Sequence, residues 1–162
     1  MIDLPRGSGL PAPLLALNNT FAAELSFLTP EKAAQLVAQA FMAASVGEAD
    51  ALLLAFDQDA AYDNPNFAWF KLRFPRFVYV DRVVVAEAAR GRGLARALYL
   101  ALFARAAGYE RVVCEINLDP PNPASDAFHA GLGFEAVGSA VLPGAGKTVR
   151  YFSKALGPTI TP

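Results

Sequence analysis

The chain of 162 residues contains one cysteine and one histidine, and both scarcities narrow the kinds of protein it can be. A single cysteine, Cys114, excludes an internal disulfide and with it the disulfide-built scaffolds of small secreted proteins. A zinc site made of cysteine and histidine is excluded as well, because His129 would be the only histidine ligand. We therefore expect no metal centre and a reducing compartment, most simply the cytoplasm.

Long hydrophobic runs are also missing. Uninterrupted apolar stretches such as residues 51–56 fall far short of the roughly 18 residues that a membrane-spanning helix needs. The amino terminus has Asp3, Arg6 and several prolines before any apolar run, which is the wrong order for a secretory signal. We expect neither a membrane anchor nor a secretory leader.

No charge of one sign dominates, since 14 Lys and Arg face 15 Asp and Glu and the formal net charge is -1. The charges are segregated along the chain: residues 1–70 carry two basic and eight acidic side chains, whereas residues 71–111 carry nine basic and three acidic ones. A solvated basic surface is the ordinary explanation, and a binding site for a polyanion within residues 71–111 is the functional one. With no overall basicity, we expect no nucleic-acid partner.

The chain is rich in apolar residues: 54% of its residues are hydrophobic and only 18% are charged. This composition excludes disorder and supports one large core, so residues 1–162 are predicted to form a single domain. The apolar pattern predicts a mixed α/β sheet. The predicted strands are residues 14–17, 41–46, 51–56, 77–86, 111–118, 134–140 and 148–156. The predicted helices are residues 30–40, a short one near 67–74, 91–107 and 123–132.

The segment that joins the buried strand at 77–86 to the following helix is the most informative one. Gly91 and Gly93 let a ligand approach the backbone, and consecutive N–H groups at the helix start, at Leu94 and Ala95, form a cradle for phosphate. Arg90 and Arg92 add charge-assisted hydrogen bonds to such an anion. A tight turn would explain the two glycines equally well. The segment does not match a dinucleotide-binding fingerprint, because Arg96 stands where that fingerprint requires a small residue.

Two motifs in the chain resemble those of the GNAT acyltransferases, the Gcn5-related N-acetyltransferases. The pyrophosphate signature of that family, Arg/Gln-x-x-Gly-x-Gly/Ala, is matched by Arg90, Gly93 and Ala95 directly after an apolar strand. A second family element, an Asn, a helix and a Leu-Gly-Phe ending, is matched by Asn122 and residues 132–134. The family usually has a tyrosine five residues before that Phe, and His129 takes its place here. The resemblance is specific over about residues 77–135.

The resemblance implies a central, mostly antiparallel sheet of six to seven strands with about four flanking helices. In that fold two parallel strands splay apart and acetyl-CoA wedges between them. The backbone of Val83, Val84 and Val85 would pair with the pantetheine arm, and a free N–H near Val83 or Val84 would face the thioester carbonyl, where negative charge develops during attack. Asn122 and Ser125 would bind the same arm. Three consecutive valines are also what a buried strand requires.

Direct transfer from acetyl-CoA to an amine requires a group that removes a proton from the acceptor. Asp81 and Glu24 are the preferred bases, with Glu115 ranked after them, although each could instead be a solvated or ion-paired carboxylate. His129 could protonate the departing thiolate, or it could cap the channel or hydrogen-bond within its helix.

The acceptor itself is the least determined part of the sequence interpretation. Five side chains are predicted to line its pocket, with burial in the core as the alternative explanation for the aromatic ones: Asn18, Asn19, Trp69, Phe70 and Asn117. The resemblance predicts an enzyme that acetylates a primary amine of a small molecule, peptide or protein, as a monomer or homodimer. The alternative is a catalytically silent acyl-CoA-binding sensor or regulatory module.

Overall fold

The structure, a computed structural model, describes residues 1–144 and 146–157. Within these residues the α-helices are α1 (Ala12–Thr20), α2 (Ala22–Leu25), α3 (Pro30–Gln39), α4 (Pro65–Lys71), α5 (Leu94–Arg105) and α6 (Pro123–Gly131). The strands are β1 (Ile2–Asp3), β2 (Met42–Val46), β3 (Ala51–Asp57), β4 (Val78–Val85), β5 (Arg111–Asp119), β6 (Glu135–Leu142) and β7 (Lys147–Ala155). A short 3₁₀ helix, Glu87–Ala89, follows β4.

The strands form one mixed sheet in the order β1-β2-β3-β4-β5-β7-β6. β1 and β3 flank β2 antiparallel, and β5 and β6 flank β7 antiparallel. β4 and β5 are parallel neighbours. The predicted mixed, mostly antiparallel sheet is therefore confirmed.

The helices outnumber the prediction, since the described residues contain six rather than about four. One expectation is wrong outright: residues 14–17, predicted as a strand, lie inside helix α1. A short apolar run cannot distinguish a strand from a buried helical turn, and here alanine and leucine favour the helix. The buried side chains Leu14, Leu17 and Asn18 follow the spacing of one helix face. β1, which the sequence pattern did not predict, adds two residues to the edge of β2.

By contacts the chain divides into two compact units, of which the first comprises Met1–Ala61 and Val80–Arg105. Its core is built on β3, where Leu52, Leu53 and Leu54 have no exposed surface. Helix α3 begins at residue 30 as predicted, directly after Thr29, whose hydroxyl accepts the Lys32 N–H at 3.2 Å.

The second unit comprises Tyr62–Tyr79 and the chain from Ala106 onward. Helix α4 begins after Asn64, whose side-chain oxygen accepts the N–H groups of Asn66 and Phe67. Phe67 and Phe70 then pack against strand aromatics; the Phe67 ring lies 5.7 Å from that of Tyr79. Phe70, predicted to line an acceptor pocket, belongs to this aromatic cluster and has no exposed surface.

Candidate active site

The loop between β4 and α5 has the geometry of an anion cradle. Gly91 and Gly93 have φ values of 80° and 72°, in the left-handed region that glycine adopts without strain. A Cβ built at either position would meet nothing within 4 Å, so the backbone here faces open space. A ligand can therefore approach these peptide groups directly.

Helix α5 begins immediately after this loop. The Ala97 N–H donates to the Gly93 carbonyl at 3.0 Å, so the N–H groups of Leu94 and Ala95 lie in the first turn, where an α-helix offers them no carbonyl. The positive end of the helix dipole coincides with these donors. Together they suit a phosphate or diphosphate.

Both predicted arginines lie beside this loop. Arg92 reaches Asp50 with an N···O distance of 3.5 Å, but the two side chains are 57% and 41% exposed. Such an exposed pair contributes at most about 1 kcal/mol, so Arg92 can exchange Asp50 for a phosphate at little cost. The Arg90 guanidinium lies 5.5 Å from the centre of the Phe21 ring.

β4, which leads to the loop, pairs with β5 over a short register. The pairs found among the described residues are Val78↔Val112 and Tyr79↔Val113, whereas β4 continues through residues 80–85 and β5 through residues 114–119. Val84 is buried, and Val83 and Val85 are half-buried. The three valines thus lie beyond the recorded parallel pairs, on the strand segment that ends at the cradle.

Asp81 and Asn18 are parts of one buried polar network. The Arg82 Nε donates to Asp81 Oδ2 at 2.7 Å, and Arg82 also donates to the side-chain oxygen of Asn18 at 2.8 Å. Asn18 donates in turn to the Ser26 carbonyl at 3.1 Å. Asn19 holds the same segment after α2, because its side chain forms hydrogen bonds with both the N–H and the carbonyl of Leu28.

This network includes three predicted site residues, Asn18, Asn19 and Asp81. Asn18 is fully buried and the Asp81 side chain is only 4% exposed, so both act from the interior, in contact with Arg82. Their geometry suits fixing α1 and the segment that follows α2 to β4 better than contact with an acceptor. Glu24, on α2, is exposed.

Helix α6 carries Asn122, Ser125 and His129 close together. Asn122 caps the helix by accepting the Ser125 N–H at 3.2 Å. The Ser125 hydroxyl lies 3.3 Å from His129 Nδ1. Asn122 itself is exposed, so its amide nitrogen is accessible from outside the helix.

His129 is held as a neutral imidazole. Nδ1 lies 2.8 Å from the Ser125 carbonyl oxygen, and because a carbonyl can only accept, Nδ1 carries the proton. Burial lowers the pKa of His129 below 6.5, against smaller opposing effects of the Ser125 backbone and Asp126. At neutral pH Nε2 therefore presents a lone pair, and the ring would first have to be protonated before it could act there as an acid.

Trp69 is enclosed on both ring faces. Its ring stacks on Tyr151 with centroids 4.1 Å apart, and the Arg73 guanidinium lies 3.8 Å from its other side. A Cβ at Gly138 would come within 2.7 Å of the Trp69 ring, so the glycine makes room for it. Trp69 thus packs α4 onto the carboxy-terminal hairpin, and neither face is available to stack an acceptor.

A carboxylate lies among the aromatic side chains of this unit. The Tyr79 hydroxyl donates to Glu115 Oε2 at 2.7 Å, and Glu115 pairs across the β5–β7 register with Tyr151. The Tyr151 hydroxyl donates to Asn66 Oδ1 at 2.8 Å. Asn117, two residues further along β5, is half-buried and opposite Val149.

Sequence reasoning named Glu115 and Asn117 but missed Tyr79 and Tyr151. The pattern of β4 and β7 shows that both tyrosines are in strands, but it contains no signal for which residue of another strand each one meets. Across residues 1–144 and 146–157, no group of three or more possible metal ligands occurs, and no helix has the length and apolar character to cross a bilayer.

Comparison with solved structures agrees with this geometry at the level of the fold. Chaetomium thermophilum Naa20 in complex with a bisubstrate analogue is 16% identical with a TM-score of 0.70, covering 96% of this chain and 85% of that one. Salmonella typhimurium yncA with acetyl-CoA is 18% identical with a TM-score of 0.67, covering 99% and 95%. The ribosomal-protein-S18-alanine N-acetyltransferase of Escherichia coli is 14% identical with a TM-score of 0.60, covering 95% and 97%.

At such identities the likeness establishes the fold alone, and no relative was found among curated proteins. The sequence pattern of the acetyltransferase (GNAT) family, however, matches residues 51–134, which is more than half of the chain and includes β4, the glycine loop and α5. The chain belongs to the GNAT acetyltransferase family.

Proposed function

We propose that this protein transfers the acetyl group of acetyl-CoA to a primary amine of a small molecule, peptide or protein by direct attack in a ternary complex. Family membership supports acetyl transfer. The observation that carries the proposal is the open backbone at Gly91 and Gly93 in front of the first turn of α5.

The residues present fit acetyl-CoA as the donor. N–H groups of residues 91–95 would bind its diphosphate, with Arg90 and Arg92 adding charge. The backbone of Val83, Val84 and Val85 would pair with the pantetheine arm, and an N–H there would stabilise the thioester oxygen as it gains negative charge. Asn122 would contribute its accessible amide nitrogen, and Ser125 its hydroxyl.

The acceptor must lose a proton before it attacks. An alkyl ammonium with a pKa near 10.4 is neutral in only about one molecule in 10³ at pH 7, so a nearby carboxylate or a water relay has to take the proton. Holding amine and thioester in line contributes more, about 7–11 kcal/mol of the barrier. The net negative charge of residues 1–70 favours an acceptor that approaches as a cation.

The geometry of His129 supports a second candidate function, a module that binds acyl-CoA without turnover. A neutral imidazole with its proton at Nδ1 has none at Nε2 to give to a departing thiolate. Thiolates leave without protonation in many reactions. This observation therefore weakens the assignment of His129 as the acid that protonates the thiolate, and it does not weaken the proposal that the protein is an enzyme.

Calorimetry with acetyl-CoA tests the cradle. Removing both side chains in the double variant Arg90→Ala/Arg92→Ala should raise the Kd about tenfold or more, since about 1.4 kcal/mol corresponds to tenfold. Arg105→Ala is the matched control, because it removes an arginine from the opposite end of α5, where it pairs with Asp3. Absence of heat with the unmodified protein would refute the proposed function.

Turnover is tested separately by release of free CoA thiol in the presence of primary amines. Thiol release that depends on an added amine supports the enzyme. Binding of acetyl-CoA with no thiol release across peptides with free amino termini, lysine peptides and spermidine supports the silent module instead.

A further inference from the structure

Phe21 is fixed between helices α1 and α2 by its backbone. Its N–H donates to the Asn18 carbonyl at 3.1 Å. Its own carbonyl accepts the N–H groups of Glu24 at 3.0 Å and Leu25 at 2.9 Å. Phe21 therefore ends one helix and begins the next, and its half-buried ring extends from a backbone that both helices hold in place.

The last turns of α1 also contact β4 before the glycine loop begins. Asn18 is fully buried, and its side-chain oxygen accepts a hydrogen bond from Arg82 at 2.8 Å. Arg82 is only 6% exposed and pairs with Asp81 as well. Because a satisfied polar network in the interior is rigid, α1 and this point of β4 keep a fixed relative position.

Arg90 lies over the Phe21 ring. The guanidinium carbon is 5.5 Å from the ring centre, within the roughly 6 Å over which an aromatic face attracts a cation. Arg82 and Arg90 flank residues 83–89, which contain the three valines of β4 and the 3₁₀ helix. The junction of α1 and α2 thus contacts the chain on both sides of residues 83–89.

The partners of the two cradle arginines differ in charge. Arg92 pairs with Asp50 at 3.5 Å, and a phosphate has to displace that carboxylate. Among residues 1–144 and 146–157, the Phe21 ring is the only group that the Arg90 guanidinium contacts by a ring contact, an ion pair or a hydrogen bond. The ring has no net charge and attracts the cation through its quadrupole, so the N–H donors of Arg90 stay available for a phosphate.

We propose that Phe21 is a positioning residue that holds the exposed Arg90 side chain at the cradle, ready for the diphosphate of acetyl-CoA. This inference rests on the proposed function, because it takes Arg90 as a ligand of the diphosphate. A long side chain that is already held in place loses less rotamer entropy on binding than one that moves in solvent. Phe21 lowers this entropy cost without giving Arg90 a counter-ion that competes with the ligand.

A double-mutant cycle measured by calorimetry with acetyl-CoA tests the proposal. Phe21→Leu should raise the Kd about two- to tenfold, the range that corresponds to ordering one long side chain on binding. The same substitution should leave the Kd unchanged when it is added to Arg90→Ala, because the side chain that Phe21 positions is then already absent. Added to Arg92→Ala it should keep its full effect, since Arg92 has a different partner, Asp50.

Further variants separate positioning from packing. Phe21→Tyr keeps an aromatic face and should keep the Kd of the unmodified protein, whereas loss of packing would weaken binding equally with and without Arg90. Phe27→Leu is the matched control, because it makes the same change at a phenylalanine that is 63% exposed in the segment after α2, and it should not change the Kd. If melting curves show that Phe21→Leu does not fold, Phe21→Met, which has no ring, replaces it in the cycle.

The outcomes separate this inference from the proposed function. If Phe21→Leu leaves the Kd unchanged, or weakens binding equally with and without Arg90, the positioning role is overturned and acetyl transfer stands. If Phe21 and Arg90 are coupled but no amine of the panel causes thiol release, the positioning role is upheld and acetyl transfer is refuted. Absence of heat when acetyl-CoA is added to the unmodified protein overturns both.

Discussion

Adding one methyl group at Gly138 should destabilise the protein through a single neighbour, Trp69. A Cβ at this position would lie within 2.7 Å of the Trp69 ring, well inside van der Waals contact. The ring cannot move aside freely, because Tyr151 stacks on one face at 4.1 Å and Arg73 lies 3.8 Å from the other. The backbone of Gly138 does not have positive φ, so an alanine there is not strained by its own conformation.

The expected cost follows from these contacts. Overpacking by one methylene group typically costs about 1–3 kcal/mol. Displacing Trp69 instead would forfeit about 0.5–1.5 kcal/mol of ring stacking and roughly 0.5–1 kcal/mol of cation–π attraction, so both routes lead to a similar loss. We expect Gly138→Ala to lower the free energy of unfolding by about 2 kcal/mol, or Tm by roughly 4–8 °C.

Urea unfolding of four proteins isolates the contact: the unmodified chain, Gly138→Ala, Trp69→Ala and the double variant. Without Trp69 the three nearest contacts of the added methyl group are removed, so its cost should vanish or become a gain of about 0.4–1 kcal/mol. Gly131→Ala is the control, because a Cβ there has no neighbour within 4 Å. The reasoning is refuted if Gly138→Ala costs the same with and without Trp69.

Two further predictions concern buried charge. Arg82→Met should lower the free energy of unfolding by about 3–5 kcal/mol in denaturant titrations, because it leaves Asp81 buried without the cation that pairs with it. Adding Asp81→Asn to this variant should restore a large part of that loss. Equal losses in the single and double variants would contradict the ion-pair argument. His129, the only histidine, has a pKa below 6.5 in the folded chain, so as pH falls through 6.5 the unfolded chain binds a proton that the folded chain does not. Stability should therefore fall toward acid pH, and His129→Gln should flatten that dependence between about pH 5 and 7.5. The ring protons of His129 should titrate below pH 6.5 by NMR, and parallel stability curves for variant and unmodified protein would disprove the linkage.

The geometry of the glycine loop was predictable because its determinants are consecutive residues. A cradle of backbone N–H groups needs glycines, a helix start and nearby arginines, and all of these occur within residues 90–95. Such a site depends little on where distant side chains lie. The same locality explains why the starts of α3 and α6 were predicted correctly at residues 30 and 123: the side chains of Thr29 and Asn122 cap the residues that follow them directly along the chain.

The surroundings of Glu115 and Trp69 could not be predicted in the same way, because they depend on contacts between distant residues. Tyr79 and Glu115 are 36 positions apart, and their hydrogen bond requires a register that neither strand pattern encodes. Trp69 was expected to line a pocket from its aromatic character alone. Its actual environment depends on Gly138 and Tyr151, which no local pattern connects to α4.

The ranking of the carboxylates shows what kind of information was missing. Asp81 and Glu24 ranked above Glu115 as candidate bases, and Asp81 was considered because it lies on the strand that leads to the cradle; position in the sequence was the only criterion available. Whether Asp81 pairs with its neighbour Arg82 in the interior, and which residue of another strand meets Glu115, depends on side-chain burial and strand register rather than on sequence position. The pattern along a single strand contains neither kind of information, so the choice of a base among the three carboxylates stays a prediction.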